Sequence, residues 1–159
     1  MEQATRDAEA ILNRIRQLVR TLRSFDRDAQ SRYGLGAAQM FILHVLRQED
    51  NLTVGELAER TATDQSSASL AVSRLVEQGH VQRGPDPVDR RQVRLSLTRK
   101  GRTLVRRAPP ATQQGMIASV AKMSAADRRR FIALLDQLLD GMGADQSQPP
   151  MFFEDEPQR

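Results

Sequence analysis

Among its 159 residues the chain has no cysteine, no tryptophan, two histidines (His44 and His80) and one tyrosine, Tyr33. Without cysteine there is no disulfide, no thiolate zinc site, no thiol nucleophile and no thiol-based redox sensor. Two histidines far apart in sequence do not make a metal site. No glycine-rich phosphate loop occurs, and no pair of carboxylates stands beside a base. The sequence therefore predicts no enzyme chemistry, no metal and no cofactor. No apolar run approaches the ~18 residues of a membrane span. The opening decapeptide MEQATRDAEA is too polar and acidic for a secretion signal. A cytoplasmic protein without membrane association is expected.

What is present is charge, unevenly spread. The net charge is +4. Residues 144–159 are acidic, with Asp145, Glu154, Asp155 and Glu156 against Arg159. Residues 64–107 hold ten Lys and Arg against four acids, a local net of +6. A basic segment within a modestly charged chain points to a polyanion partner, although charge alone also suits a solvated surface.

Two apolar stripes lie near the chain ends. Ala8, Ile11, Leu12, Ile15, Leu18, Val19 and Leu22 follow i, i+3, i+4, i+7 spacing, which predicts an amphipathic helix over 4–24 with a possible extension to 31. Phe131, Leu134, Leu135, Leu138, Leu139 and Met142 repeat the pattern behind Ser124, an N-cap with Asp127 three residues on, and before Gly141 and Gly143. Such stripes need cover, either from the chain's own core or from a second copy.

The block between them is denser. Residues 36–48 predict a helix with Met40, Phe41, Leu43, Val45 and Leu46 mostly buried. Thr53 and Glu56 form a capping box for a short helix bearing Val54, Leu57 and Ala58. Thr63 or Asp64 caps the next, with Ala68, Ala71, Val72 and Leu75 inward and Gly79 as its stop. Two short helices joined by so few residues have the spacing of a helix-turn-helix. The outer face of the second carries Gln65, Ser66, Ser67, Ser69, Ser73 and Arg74. A merely solvated helix does better with Glu and Lys, because mid-helix serines cost stability. A helix lying in a major groove wants small polar groups for close approach, and Gln and Arg for base edges and phosphates.

A hairpin follows directly. HVQR is a short strand, GPDPVD a loop, and RQVRLSLT the return strand, with Val93, Leu95 and Leu97 on one face. Arg90 and Arg91 stand at its tip, where an arginine meets the negative potential of a narrow minor groove. Asp89 is placed to pair with Arg91 and, with Leu95, to shape this wing. Thr98 caps a further helix, which Pro109-Pro110 must interrupt. Met151, Phe152 and Phe153 stand in the acidic tail and fit folding back on the body as well as disorder.

These elements resemble the MarR family of regulators. Its wing signature D-x-R-x-x-x-L is matched by Asp89, Arg91 and Leu95, a following T-x-x-G by Thr98 and Gly101, and L-x-x-x-G-x-V-x-R by Leu75, Gly79, Val81 and Arg83. The likeness spans roughly 8–142. It implies a mostly α fold with a small β-hairpin wing. A winged helix-turn-helix DNA-binding domain at 36–107 would join a helical dimerisation region made of 1–35 and 108–143, with the acidic tail at 144–159. It further implies a homodimer on pseudo-palindromic double-stranded DNA, usually a repressor, with recognition helices one turn, ~34 Å, apart. Many such proteins release DNA on binding a small aromatic acid or phenolic compound between the lobes. A family-like cleft would lie among the first, second and fifth helices, with His44, Arg16, Arg20 and Arg106 as candidate contacts. A lone histidine on an apolar face is, however, more often a core residue. A ligand-independent or architectural DNA-binding protein is the alternative. Pro109-Pro110 and the Phe-containing tail depart from the family pattern.

Overall fold

The computed structural model describes residues 2–86, 88–108 and 112–144. Helix α1 spans Glu2–Tyr33, α2 Ala37–Gln48, α3 Val54–Thr61 and α4 Gln65–Glu77. Strands β1 (Val81–Pro85) and β2 (Val93–Leu97) follow, then α5 (Arg99–Arg107), α6 (Thr112–Ala121) and α7 (Ala125–Gly141). The expected mostly helical fold with one small hairpin is what forms. Helix α1 is longer than its apolar stripe predicts, reaching Tyr33 before Gly34 adopts φ +67.

The helix starts follow the predicted caps. The Thr53 N–H donates to the Glu56 carboxylate at 2.7 Å and the Glu56 N–H to the Thr53 hydroxyl at 3.1 Å. Of the two candidates for α4, Asp64 is the cap, accepting the Ser67 N–H at 2.9 Å, while Thr63 is buried. Thr98 caps α5 through the Gly101 N–H, and Ser124 caps α7 through the Asp127 N–H. Such caps satisfy N–H groups that have no partner within their helix. Helix α5 ends at Arg107, and Ala108 is extended (ψ 143) as a residue before proline must be. Pro109-Pro110 and the tail segment Met151–Phe153 lie outside the described residues.

The apolar core runs from Leu35 to Ala108. Ile42, Leu43, Leu46, Leu57, Val72, Leu75, Leu95, Leu97 and Val105 are among its most enclosed members, and all five predicted α2 residues are buried. Helix α2 is the hub, buried nearly all round between α3, α4, α5 and β2. At ~25 cal/mol per Å² of apolar area, this is the part of the chain with a core of its own. The end helices differ. Leu22 is the one buried residue of α1 among those described, and α7 has none. Ile11, Leu12, Leu18, Phe131, Leu134 and Leu139 are each between 44% and 55% exposed. The rear of α1 is tied to the core lobe by Asp26, which accepts the Ala37 N–H at 2.7 Å.

Candidate nucleic-acid interface

The turn between α3 and α4 closes through Ala62, which takes the left-handed conformation (φ 52), and α4 stops at Gly79 (φ +71). Four residues of α4, Ala68, Ala71, Val72 and Leu75, are at most 2% exposed and seat the helix on the core. Its other side faces outward. Gln65 and Ser66 are exposed, and Ser67, Ser69, Ser73 and Arg74 are half-buried. Two of these serines carry internal work besides. Hydrogen bonds from the Ser67 hydroxyl and backbone hold the Asp64 carboxyl below its usual range. The Ser73 hydroxyl accepts from Arg83 of β1 at 3.0 Å, joining the outer face of α4 to the wing.

The wing is an antiparallel pair with Val81 opposite Leu97, Arg83 opposite Leu95 and Pro85 opposite Val93. Leu95 and Leu97 are buried, whereas Val93 is 49% exposed, so the predicted apolar face covers only the inner half of β2. Leu95 also donates its N–H to Leu52 at 2.8 Å, pinning the wing base to the turn before α3. Residues 90–91 form the turn at the tip, and Arg90 and Arg91 are both exposed there.

Two carboxylates, Asp89 and Asp86, shape the tip. Asp89 does hold Arg91, through the backbone N–H at 3.1 Å. The ionic pin is Asp86 with Arg94. Asp86 accepts the N–H groups of Val88 (2.6 Å) and Asp89 (2.9 Å) and pairs with the Arg94 guanidinium. The backbone donors at Asp89 and Val88, with Arg94, hold its carboxyl down at about 2. Arg94 reaches on to Glu56 at 2.7 Å and to the Asn51 carbonyl at 3.1 Å. One guanidinium thus ties the wing loop to the cap of α3. A bidentate, fork-shaped donor is what such a junction needs. Its partners are 8 and 38 residues away, beyond any local sequence pattern.

Behind the wing, α5 presses on the end of the helix-turn-helix. A Cβ on Gly101 would lie 2.1 Å from the His80 carbonyl oxygen, so only glycine fits there. Thr98 adds its N–H to the same carbonyl at 3.0 Å and its hydroxyl to the Gly79 carbonyl at 2.7 Å. The T-x-x-G motif is therefore a cap and a close approach in one. Beside it opens a groove of about 680 Å³ lined by Tyr33, His80, Arg99, Lys100, Thr103, Leu104 and Arg107. Burial pushes the His80 imidazole pKa down, and nearby Lys100 adds to the effect. The His80 Nδ1 is buried without a hydrogen-bond partner.

None of the four candidate ligand residues lines this groove. His44 is 6% exposed and belongs to α2, whose burial on nearly every side takes it into the core. Arg16 and Arg20 stand on the exposed front of α1, Arg16 bonding Asn13 at 3.2 Å, and Arg106 is exposed on α5. From α5 the groove takes Arg99, Lys100, Thr103, Leu104 and Arg107, beside Tyr33 and His80.

Comparison with known proteins agrees with this architecture. A sequence model described as the MarR family matches residues 33–92. The chain is 33% identical over 106 residues to the HTH-type transcriptional repressor NicR of Pseudomonas putida, covering 67% of each chain. It is 32% identical over 129 residues to an uncharacterized HTH-type transcriptional regulator of Mycobacterium leprae, covering 79% of this chain and 87% of the other. Among solved structures it resembles BpsR of Bordetella bronchiseptica, described with a mechanism for regulation of its DNA binding by 6-hydroxynicotinic acid. That match has a TM-score of 0.57 and 28% identity, over 83% of this chain and 92% of that one. No described helix is long and apolar enough to cross a membrane. The capped helix pair, the hairpin behind it and these relatives lead to one conclusion: the chain belongs to the MarR family of winged helix-turn-helix transcriptional regulators, DNA-binding proteins rather than enzymes.

Proposed function

We propose that the chain is a cytoplasmic homodimeric repressor that binds a pseudo-palindromic operator and is released by a small aromatic or phenolic acid. The observation that carries this reading is the division of labour in the fold. Residues 36–107 hold the core, the outward polar face of α4 and the arginine-tipped wing. Residues 1–35 and 108–143 hold apolar stripes left open by the described residues of the single chain, which a second copy would cover. In this reading Gln65, Ser66, Ser69 and Arg74 meet base edges and phosphates in the major groove, with Ser67 and Ser73 close by. Arg90 and Arg91 enter the flanking minor groove.

The groove supports the ligand part. Its lining holds three cations, Arg99, Lys100 and Arg107, and no acid. Tyr33 and Leu104 offer a ring and an apolar surface, and His80 Nδ1 offers an unused hydrogen-bond position. An aromatic carboxylate matches that set. The groove joins the end of α1 to α5 and to the root of the wing, so a ligand there favours one lobe spacing over another, as release requires.

The test is titration of the protein onto the DNA upstream of its own gene by fluorescence anisotropy at two salt concentrations, with and without an aromatic acid such as 6-hydroxynicotinate. Tight binding that random DNA of equal length does not match, lost on adding the acid, is the expected result. Equal binding to both DNAs that vanishes at higher salt would leave only the phosphate term and would favour the architectural alternative.

A further inference from the structure

The outer face of α4 contains one residue that the polar reading omits. Leu70 is 38% exposed, while the core-facing Ala68, Ala71, Val72 and Leu75 are at most 2% exposed. At 3.6 residues per turn, Ser66, Leu70 and Ser73 stand on one ridge, on the side of the helix opposite those four. Leu70 therefore lies mid-helix, amid serines, on the ridge farthest from the protein's core. The neighbouring Ser66, Ser69 and Ser73 are all shorter, so Leu70 projects beyond them. A leucine gains nothing from water at such a place, where a Lys or Gln would be better solvated.

We infer that Leu70 is a specificity-determining residue that packs on the C5-methyl of a thymine in each operator half-site. The inference rests on α4 being the recognition helix proposed above. The major-groove edges of the four base pairs present donors and acceptors throughout, and the thymine methyl is their one apolar group. A helix seated closely enough for serine hydroxyls to reach base edges brings a longer leucine down onto the groove floor. There the methyl group is the one feature that rewards an aliphatic side chain. The cytosine amino group and the adenine amino group, left facing Leu70, would lose a water partner without a replacement. Ser66 and Ser73, one turn to either side, would fix the register of the contact.

The test begins with selection of an operator from a pool of random duplexes by the full-length wild-type protein. Each thymine of the selected site is then replaced in turn by deoxyuridine, which removes the methyl and keeps the base pair and every donor and acceptor. Loss of one buried methyl should weaken binding about four-fold at a single thymine per half-site, and roughly fifteen-fold when both half-sites are changed. Leu70→Ala, at an exposed position, should melt like the wild type and bind the thymine and uracil versions of that site equally. Uniform tolerance of uracil by the wild type, or uracil sensitivity that persists in Leu70→Ala, overturns the inference while leaving the regulator reading in place. Failure of the wild type to select any sequence overturns both.

Discussion

The middle and the ends of this chain carry the same kind of amphipathic pattern with opposite fates. Helix α2 and helix α7 both show apolar residues at helical spacing. In the single chain Leu43 of α2 is fully buried, and Leu138 of α7, among the less exposed of its stripe, is still 39% exposed. Periodicity tells which side of a helix is apolar and says nothing about what covers it. The middle closes on itself because α2, α3, α4, α5 and the hairpin supply complementary faces within one lobe. The ends have no such supply among the described residues of one copy. The contrast separates two roles of apolar surface: folding a reading head and, in the proposed dimer, joining two of them.

That comparison can be broken most forcefully in the middle. Leu43→Ala should cost ~2–5 kcal/mol of stability, the range for truncating a buried leucine, seen as a large drop in the melting temperature. Leu138→Ala should do far less to unfolding of the isolated chain. At the ends, Leu135→Glu combined with Leu138→Glu should convert the dimer to a monomer in analytical ultracentrifugation while the circular dichroism spectrum stays helical. A wild-type protein that sediments as a monomer at micromolar concentration would remove the role assigned to both stripes.

Smaller effects sharpen the description of the reading head. Arg90→Ala or Arg91→Ala should weaken operator binding about ten-fold, ~1.4 kcal/mol, with no change in melting. Unchanged affinity in both variants would remove the wing from the interface. The smallest expected effect concerns His80. Its folded pKa lies below the ordinary 6.5, because burial and Lys100 disfavour the charged ring. The unfolded chain therefore binds the proton more readily. Stability should be fully present above that ordinary value and should decline as pH falls below it. His80→Gln should flatten the slope between pH 7.5 and 5.5 in denaturant titrations. An equal slope in the variant would show that the ring does not carry it.

The sequence made the helices and caps legible because their determinants are local. Thr53 with Glu56, Asp64 with Ser67, and Thr98 with Gly101 are each three residues apart. The wing arginines were legible from the strand alternation beside them. The wing's ionic pin was not, since Arg94 meets Glu56 across 38 residues and looks in sequence like one more surface charge. Leu70 was missed because an apolar residue outside the inward set Ala68, Ala71, Val72 and Leu75 belongs to neither side of a helix counted as polar outside and apolar inside. The ligand candidates do not line the groove, for a related reason. His44 was chosen as a polar residue among apolar ones, yet α2 is enclosed on nearly all sides, while the groove draws on His80 at a helix-strand junction that has no periodicity to read.

The Arg94 pin has a consequence beyond holding a loop still. Because Asp86, Arg94 and Glu56 fasten the wing to the cap of α3, the reading helix and the wing are two binding modules on a stiff connector. In the proposed complex, once one has engaged, the other is already at its groove at high effective concentration, with little chain entropy left to be lost. On that reading, the avidity of a single half-site is set in part by a guanidinium that need not touch the nucleic acid.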